Sequence, residues 1–362
     1  MKEESGMNME RIEKVLRKTD ADALLLCDPH AIHYLINEKF SPGERFLGLL
    51  LDKEGKTKLF LNALFPFEPA EGLETVVYSD TDSLVEVLKP HLHPEWILGV
   101  DKNMPARFLL PIMKSGLVRD CVDGSLPVDR TRAVKEAEEL EKLRRASKIN
   151  DEAMAVFKTL VKDGISERQI ADQMLKIYQD LGADGYSFEP CVAFGKNTAD
   201  PHHMPDDTVL KEGDAVLFDV GCLYQGYCSD MTRTFFYKKG PSGIRKRIYD
   251  LVRKANEDAE RSIKAGVRLC DIDSIARRVI EDGGYGPYFT HRLGHFIGTE
   301  VHEYGDVSQS FIDLTESGNV FSIEPGIYDP ETLGCRIEDL VVVTEEGCEV
   351  LNHYPHEIEI IG

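Results

Sequence analysis

The chain has 362 residues, 64 acidic and 43 basic, for a formal net charge of −21. That balance disfavours nucleic acid and anionic membrane surfaces as partners, and no apolar run approaches membrane-spanning length. The length points to two domains, and a 42% hydrophobic content is enough for large cores.

The opening stretch MKEESGMNMERIEKVL is charged and reads as a helix, not as a secretory signal. Between residues 8 and 121 short apolar strands alternate with helical patterns. Strands are predicted over Ala23–Cys27, Phe46–Asp52, Lys58–Leu61, Thr75–Tyr78, Trp96–Val100 and Leu117–Cys121, with helices over Asp82–His91 and Pro105–Ser115. This is the pattern of a small α/β domain around a central sheet. No Gly-rich phosphate loop follows a strand, so nothing favours a nucleotide site. His30, His33, His91 and His93 read as packing or surface residues. The eight cysteines are scattered, without a CxxC pair, as free thiols in a reducing cytosol would be, so no disulfide framework or zinc ribbon is expected.

Asp123–Thr131, with Gly, Pro and charge, reads as the linker, dividing the chain into domains 1–128 and 129–362. A long charged helix over Ala133–Val161 is predicted next, then a helix over Glu167–Leu181 and the segment Ser187–Pro205. Gly213–Tyr237 follows, reading as two strands around a Tyr-Gln-Gly turn, with Asp219 and Asp230 set in apolar strands. In direct register these carboxylates would stand ~5 Å apart and need a cation or proton to compensate.

An internal repeat extends that argument. Lys162-Asp-Gly164 and its helix match Lys264-Ala-Gly266 and its helix, and Gly213–Gly221 matches Gly318–Gly326, at offsets of 102 and 105. Two similar halves related by a pseudo-twofold axis follow. Glu324 then takes the place of Asp219, and Glu338, beyond a turn at Asp329-Pro330, that of Asp230. Four converging carboxylates call for two divalent cations, since one would leave two negative charges poorly solvated. Paired cations bridged by carboxylates are a common hydrolytic arrangement. Imidazole candidates come from His291, His295 and His302 in one segment and from His202 and His203 in another.

DVGCLYQGYCSDMTRTF, GHFIGTEVHE, SIEPGIY and RIED resemble the creatinase/aminopeptidase P/methionine aminopeptidase superfamily, the pita-bread metallopeptidases. The likeness runs from Ala133 to the C-terminus, and the preceding domain resembles the creatinase-type N-terminal domain of the proline-specific branch. Bacterial Xaa-Pro dipeptidases (prolidases) are the nearest likeness and aminopeptidase P the next, partly because of Arg336, two residues before Glu338. The resemblance implies an α/β N-terminal domain, an α+β pita-bread catalytic domain, a cytoplasmic homodimer and two divalent ions, Mn or Co first, Zn or Fe second. It implies Asp219, Asp230, His295, Glu324 and Glu338 as metal ligands, with Asp230 and Glu338 bridging. Glu324 would also relay a proton, His302 would donate to the developing oxyanion, His202 would orient substrate, and Arg336 would hold Glu338 or substrate. His291 is open between support of the site and packing, and His203 is the weaker of its pair. The implied substrates are Xaa-Pro dipeptides or short proline-containing peptides.

Two residues depart from the pattern. Phe296 stands where Gly often follows the metal histidine, either narrowing the pocket or packing beneath it. Asp306 stands near where dipeptide cleavers often place a basic residue for the substrate carboxylate, which keeps aminopeptidase P as the alternative; His33 or Arg45 from a partner subunit is another source of that charge. A metal-free creatinase-like hydrolase and a non-catalytic binding module are the remaining rivals, and both typically lose metal carboxylates that are intact here.

Overall fold

The chain's apolar strands sort into two separate compact units, Met1–Arg132 and Ala133–Gly362, in a computed structural model that describes residues 6–69 and 72–362. In the first unit a six-stranded sheet forms the centre. Ala23–Leu26 pairs in parallel with Ile97–Val100 and antiparallel with Gly48–Asp52. Leu24, Leu25, Leu49 and Leu98 are fully buried between helices such as Pro29–Ile36 and Ala106–Ser115. The last strand is Asp120–Asp123, a few residues later than expected. The expected linker is instead the helix Ser125–Arg132. Its Val128 joins the first unit's core, and the Thr131 hydroxyl donates back to the Pro127 carbonyl at 2.7 Å.

The second unit is built twice. The helices Glu167–Asp180 and Leu269–Asp282 have 14 residues each and start 102 positions apart. Each follows a longer helix, Ala137–Leu160 and Gly243–Ser262. The glycines of the repeat, Gly164 and Gly266, sit at φ 77° and 82°, left-handed values open to glycine without strain. Equivalent isolated bridges, Ser166 to Val209 and Arg268 to Leu314, recur in the two halves. Each half has its own core. Phe157, Met174, Tyr178, Phe218 and Val220 belong to the first, and Val252, Ile272, Ile280, Phe321 and Val341 to the second.

Each half also carries a hairpin. In the first, Ala215–Val220 pairs antiparallel with Met231–Tyr237, placing Asp219 opposite Thr232. Direct pairing of Asp219 with Asp230 is therefore overturned. The turn residues are Gln225 and Gly226, both at positive φ (48° and 79°), between Tyr224 and Tyr227. A two-residue hairpin turn of this kind needs positive φ at both central positions, and Gln-Gly meets that need better than Tyr-Gln. The shift makes Asp230 a diagonal neighbour of Asp219. In the second half Val320–Ile323 pairs with Asp339–Val343, and Gly326–Asp329 with Leu333–Arg336. Extending either ladder inward sets Glu324 opposite Glu338.

The C-terminal segment runs along the first-half hairpin. Ile360 pairs in parallel with Phe236. The fully buried Arg233 guanidinium donates to the Tyr354 carbonyl at 2.7 Å, the Glu338 carbonyl at 2.7 Å and the Asp339 carboxylate at 2.6 Å. A buried guanidinium without such partners would be strongly destabilising. His356 caps the other oxygen of Asp339 at 2.8 Å.

Candidate metal centre

Strand alternation explains what gathers here. Thr232 lies two residues past Asp230, and Ser322 two before Glu324, so each shares a face with its acid. The Thr232 hydroxyl donates to Glu338 Oε2 at 2.6 Å, and Ser322 Oγ lies 3.2 Å from Glu324 Oε1. Gly294–Phe296 runs alongside, and His295 donates its backbone N–H to Ser322 Oγ at 3.0 Å. The His295 ring brings Nε2 to 3.6 Å from Asp230 Oδ2 and 3.5 Å from Glu324 Oε1. Asp230, His295 and Glu338 each offer a ligand atom within 4.8 Å of the others. Asp219 joins them through Arg336, whose Nη2 contacts Asp219 Oδ2. Asp230, His295, Glu324 and Glu338 thus meet, and Asp219 lies near enough for its charge to act on the other three acids.

The electrostatics of this group are unbalanced. Burial, followed by the charges of Glu338, Asp219 and Glu324, pushes Asp230 well above the usual carboxylate range. Burial, followed by Glu324 and Asp219, does the same to Glu338. Burial pushes Glu324 up to about 7 and His295 down to about 3. His295 Nδ1 lies 3.3 Å from the Phe296 carbonyl, which assigns the ring proton there. The Nε2 lone pair then faces two carboxylates. Asp219 Oδ1 and Asp230 Oδ1 are buried without a hydrogen-bond partner. Orphaned oxygens, a lone pair among acids and clustered like charges are what one or more cations would reconcile, so these residues fit divalent metal ions.

Around the acids lies a buried chain of hydrogen bonds. Arg336 Nε donates to Thr232 Oγ1 at 2.9 Å and Nη1 to Tyr328 OH at 2.7 Å. Tyr328 OH lies 2.8 Å from His291 Nε2, and His291 Nδ1 lies 2.7 Å from the Arg292 carbonyl. Burial, then the Arg336 charge, hold His291 at about 3, so it is neutral. His291 thus joins the Arg336 network through Tyr328 and also packs edge-on against Phe289, with centroids 5.2 Å apart. Arg336 holds Asp219 directly and reaches Glu338 through Thr232, a route not foreseen from sequence. Thr232, Ser322 and Tyr328 were missed, although the period-2 alternation that selects the acids also selects them.

The remaining predicted residues lie at the rim or away from it. The His302 ring packs edge-on against His295 with centroids 4.2 Å apart. Burial, then the nearby Arg292, hold His302 below the ordinary imidazole range, with His202 adding in the same direction. His202 is exposed, and its backbone N–H bonds Asp200 at 3.0 Å. His203 turns away, its Nε2 lying 2.6 Å from Glu167 Oε2. Phe296 packs against Phe321 with centroids 5.3 Å apart, in the core. Asp306 faces His295 across the ladder and pairs with Arg292, a residue the sequence reading passed over. In the first unit, Arg45 is forked onto Asp80 at 2.8 and 2.9 Å. There His91 lies 3.2 Å from Lys58 Nζ, and His93 packs beside Trp96.

A duplicated α+β unit that pools buried acids around one imidazole defines a metal-dependent hydrolase. Comparison with known proteins makes this specific. Residues 141–345 match the model for metallopeptidase family M24, and residues 9–134 match the creatinase/prolidase N-terminal domain. A protein of Staphylococcus aureus strain MW2, described as an uncharacterized peptidase, is 37% identical over 96% of this chain and 99% of its own length. The solved Xaa-Pro dipeptidase from Bacillus anthracis superposes with a TM-score of 0.87 at 29% identity, over 98% of this chain and 99% of that one. The X-Pro aminopeptidase from Thermotoga maritima does so with a TM-score of 0.84 at 28% identity, over 98% and 99%. The chain belongs to the M24 metallopeptidases, a pita-bread peptidase with a creatinase-type N-terminal domain. Among the described residues no helix is long and apolar enough to cross a membrane.

Proposed function

We propose that the protein is a dinuclear Xaa-Pro dipeptidase that hydrolyses the imide bond before proline. The observation behind this reading is the gathering of Asp219, Asp230, His295, Glu324 and Glu338 in one largely buried place. These residues would hold two divalent cations, Asp230 and Glu338 shared between them. Mixed carboxylate and single-imidazole ligation suits Mn²⁺ or Co²⁺. When bound, the cations supply Lewis acidity and lower the pKa of water toward neutrality. Glu324, with one oxygen near Ser322, takes the proton from the attacking water and passes it to the departing imino nitrogen. His302, at the rim against His295, donates to the carbonyl oxygen as negative charge grows there. His202 orients substrate from the opposite segment. Arg336 fixes Asp219 and, through Thr232, Glu338.

Asp306 gives aminopeptidase P a claim, because a bare acid at that place would repel a dipeptide's carboxylate. Its pairing with Arg292 supports the dipeptidase reading: the acid has a counter-charge, and the partly exposed guanidinium has donors left over. The deciding experiment adds Mn²⁺ or Co²⁺ to chelator-stripped protein and compares Xaa-Pro with Xaa-Pro-Yaa cleavage. Preferential turnover of Xaa-Pro is expected, falling about ten-fold or more in Arg292→Ala by loss of a charge-assisted bond. Preference for the longer peptide would favour aminopeptidase P. No turnover of either with metal bound would end the peptidase assignment to proline substrates. A homodimer in the cytosol remains part of the proposal, tested by light scattering and cell fractionation.

A further inference from the structure

The Glu167–His203–Asp206 group lies outside the acid cluster, and its ligand atoms also fall within 4.8 Å of one another. Its hydrogen bonds point to a role other than holding a cation. Glu167 is the first residue of the helix Glu167–Asp180 and is fully buried. Its Oε1 accepts from the Phe194 N–H at 2.7 Å and Asn197 Nδ2 at 2.9 Å. Its Oε2 accepts from the Asp206 N–H at 3.1 Å and lies 2.6 Å from His203 Nε2. Both oxygens are thus occupied, and every partner lies between residues 194 and 206. The helix start adds two more ties to the same stretch, from the Glu167 N–H to the Thr208 carbonyl at 3.3 Å and from the Arg168 N–H to the Asp206 carbonyl at 3.0 Å. A carboxylate in a helix's first turn also faces favourable backbone dipoles.

The stitched stretch carries His202. Its other side rests on the second-half hairpin: the Gly334 N–H bonds Thr198 Oγ1 at 3.1 Å, and a Cβ at Gly334 would collide with the Thr198 carbonyl. The repeat separates this arrangement from ordinary packing. At the equivalent helix start in the second half stands Leu269, also buried and part of an apolar core. Packing at this place is met by leucine; four hydrogen bonds to an irregular loop are not. The second-half imidazole His302 has a carboxylate of its own beside it. Glu303 pairs with buried Lys135 at 2.8 Å and accepts the Thr299 N–H at 2.9 Å.

We propose that Glu167, with His203 as its partner, is a positioning residue that clamps the 194–208 segment so that His202 is presented to the substrate. The proposal rests on the role given to His202 in the peptidase reading. It is tested in full-length, metal-loaded protein by crossing Glu167→Gln with His202→Ala. Glu167→Gln alone should lower kcat/KM on an Xaa-Pro dipeptide about ten-fold or more. In the His202→Ala background it should change kcat/KM by less than two-fold or so, because the clamp acts through a ring already removed. His203→Gln, which keeps a donor near Oε2, should retain more activity than His203→Ala. Backbone hydrogen exchange supplies a readout without turnover: Glu167→Gln should accelerate exchange in 194–208 and leave the acid-bearing strands protected. Equal losses in both backgrounds, or unchanged exchange in 194–208, would overturn the proposal. A wild-type protein inactive on Xaa-Pro would remove only the substrate assignment, and the exchange result would still decide the clamp.

Discussion

The two hairpins of the catalytic unit look interchangeable in sequence and differ in space. In the first, Asp219 and Asp230 are diagonal, because a tight Gln225-Gly226 turn sets the register. In the second, Glu324 and Glu338 face each other across a longer turn. The flanking strands differ more. His295 on Gly294–Phe296 projects toward the acids, whereas the matching position on Cys191–Phe194, 102 residues earlier, is Ala193. The repeat thus gives each half a pair of acids in its own register, and only the second half adds a nitrogen donor on the flanking strand. In the proposed dinuclear reading the donors are therefore unequal, oxygens from both halves and one imidazole from the second, so two cations should bind unequally.

The largest effect expected from disturbing this contrast is at the ligands. His295→Ala and Asp230→Asn should each leave circular dichroism near wild type, abolish tight binding of one ion and reduce kcat/KM by at least ~100-fold. Elemental analysis still finding two tightly bound ions in either variant would contradict the ligand set. Next is the contact between halves. Gly334→Ala drives a methyl into the Thr198 backbone and should cost about 1–3 kcal/mol, lowering Tm by a few degrees. An unchanged Tm would mean that the halves do not meet at this point. Smaller, and dependent on conditions, is the response to pH. Burial, aided by neighbouring acids, raises Asp230 and Glu338, and burial raises Glu324 to about 7. Without metal, the folded chain therefore holds protons that the unfolded chain loses near pH ~4. Its stability falls as pH climbs from there through about 7. A divalent cation replaces those protons, so the Tm gain on adding Mn²⁺ should widen between about pH 5 and about pH 7.5. Calorimetry showing a gain that narrows over that window would place the cation elsewhere.

The four acids were legible because strand alternation and repetition are written in one dimension, whereas His295 was one of five imidazole candidates that only the family resemblance singled out. The N-terminal strands were legible for the same reason as the acids, with their ends off by a few residues. The hairpin register was not, since it depends on which two residues near Gln225 accept positive φ. Ser125–Arg132 has the Pro and charge of a linker, and only the tertiary core decides the burial of Val128. Arg292, Tyr328 and Glu167 were passed over because their partners lie 14, 8 and 27 to 39 residues away. No local pattern marks such distances. The alternatives left open for Phe296 and Asp306 were questions of direction: one ring turns into the core, and one carboxylate finds a guanidinium.

The guanidinium of Arg233 has a practical corollary. It grips the backbone of Tyr354 and, on its other side, the carbonyl of Glu338. A change that displaces the Tyr354 backbone would therefore be felt, through one guanidinium, at the backbone of Glu338, a proposed metal ligand.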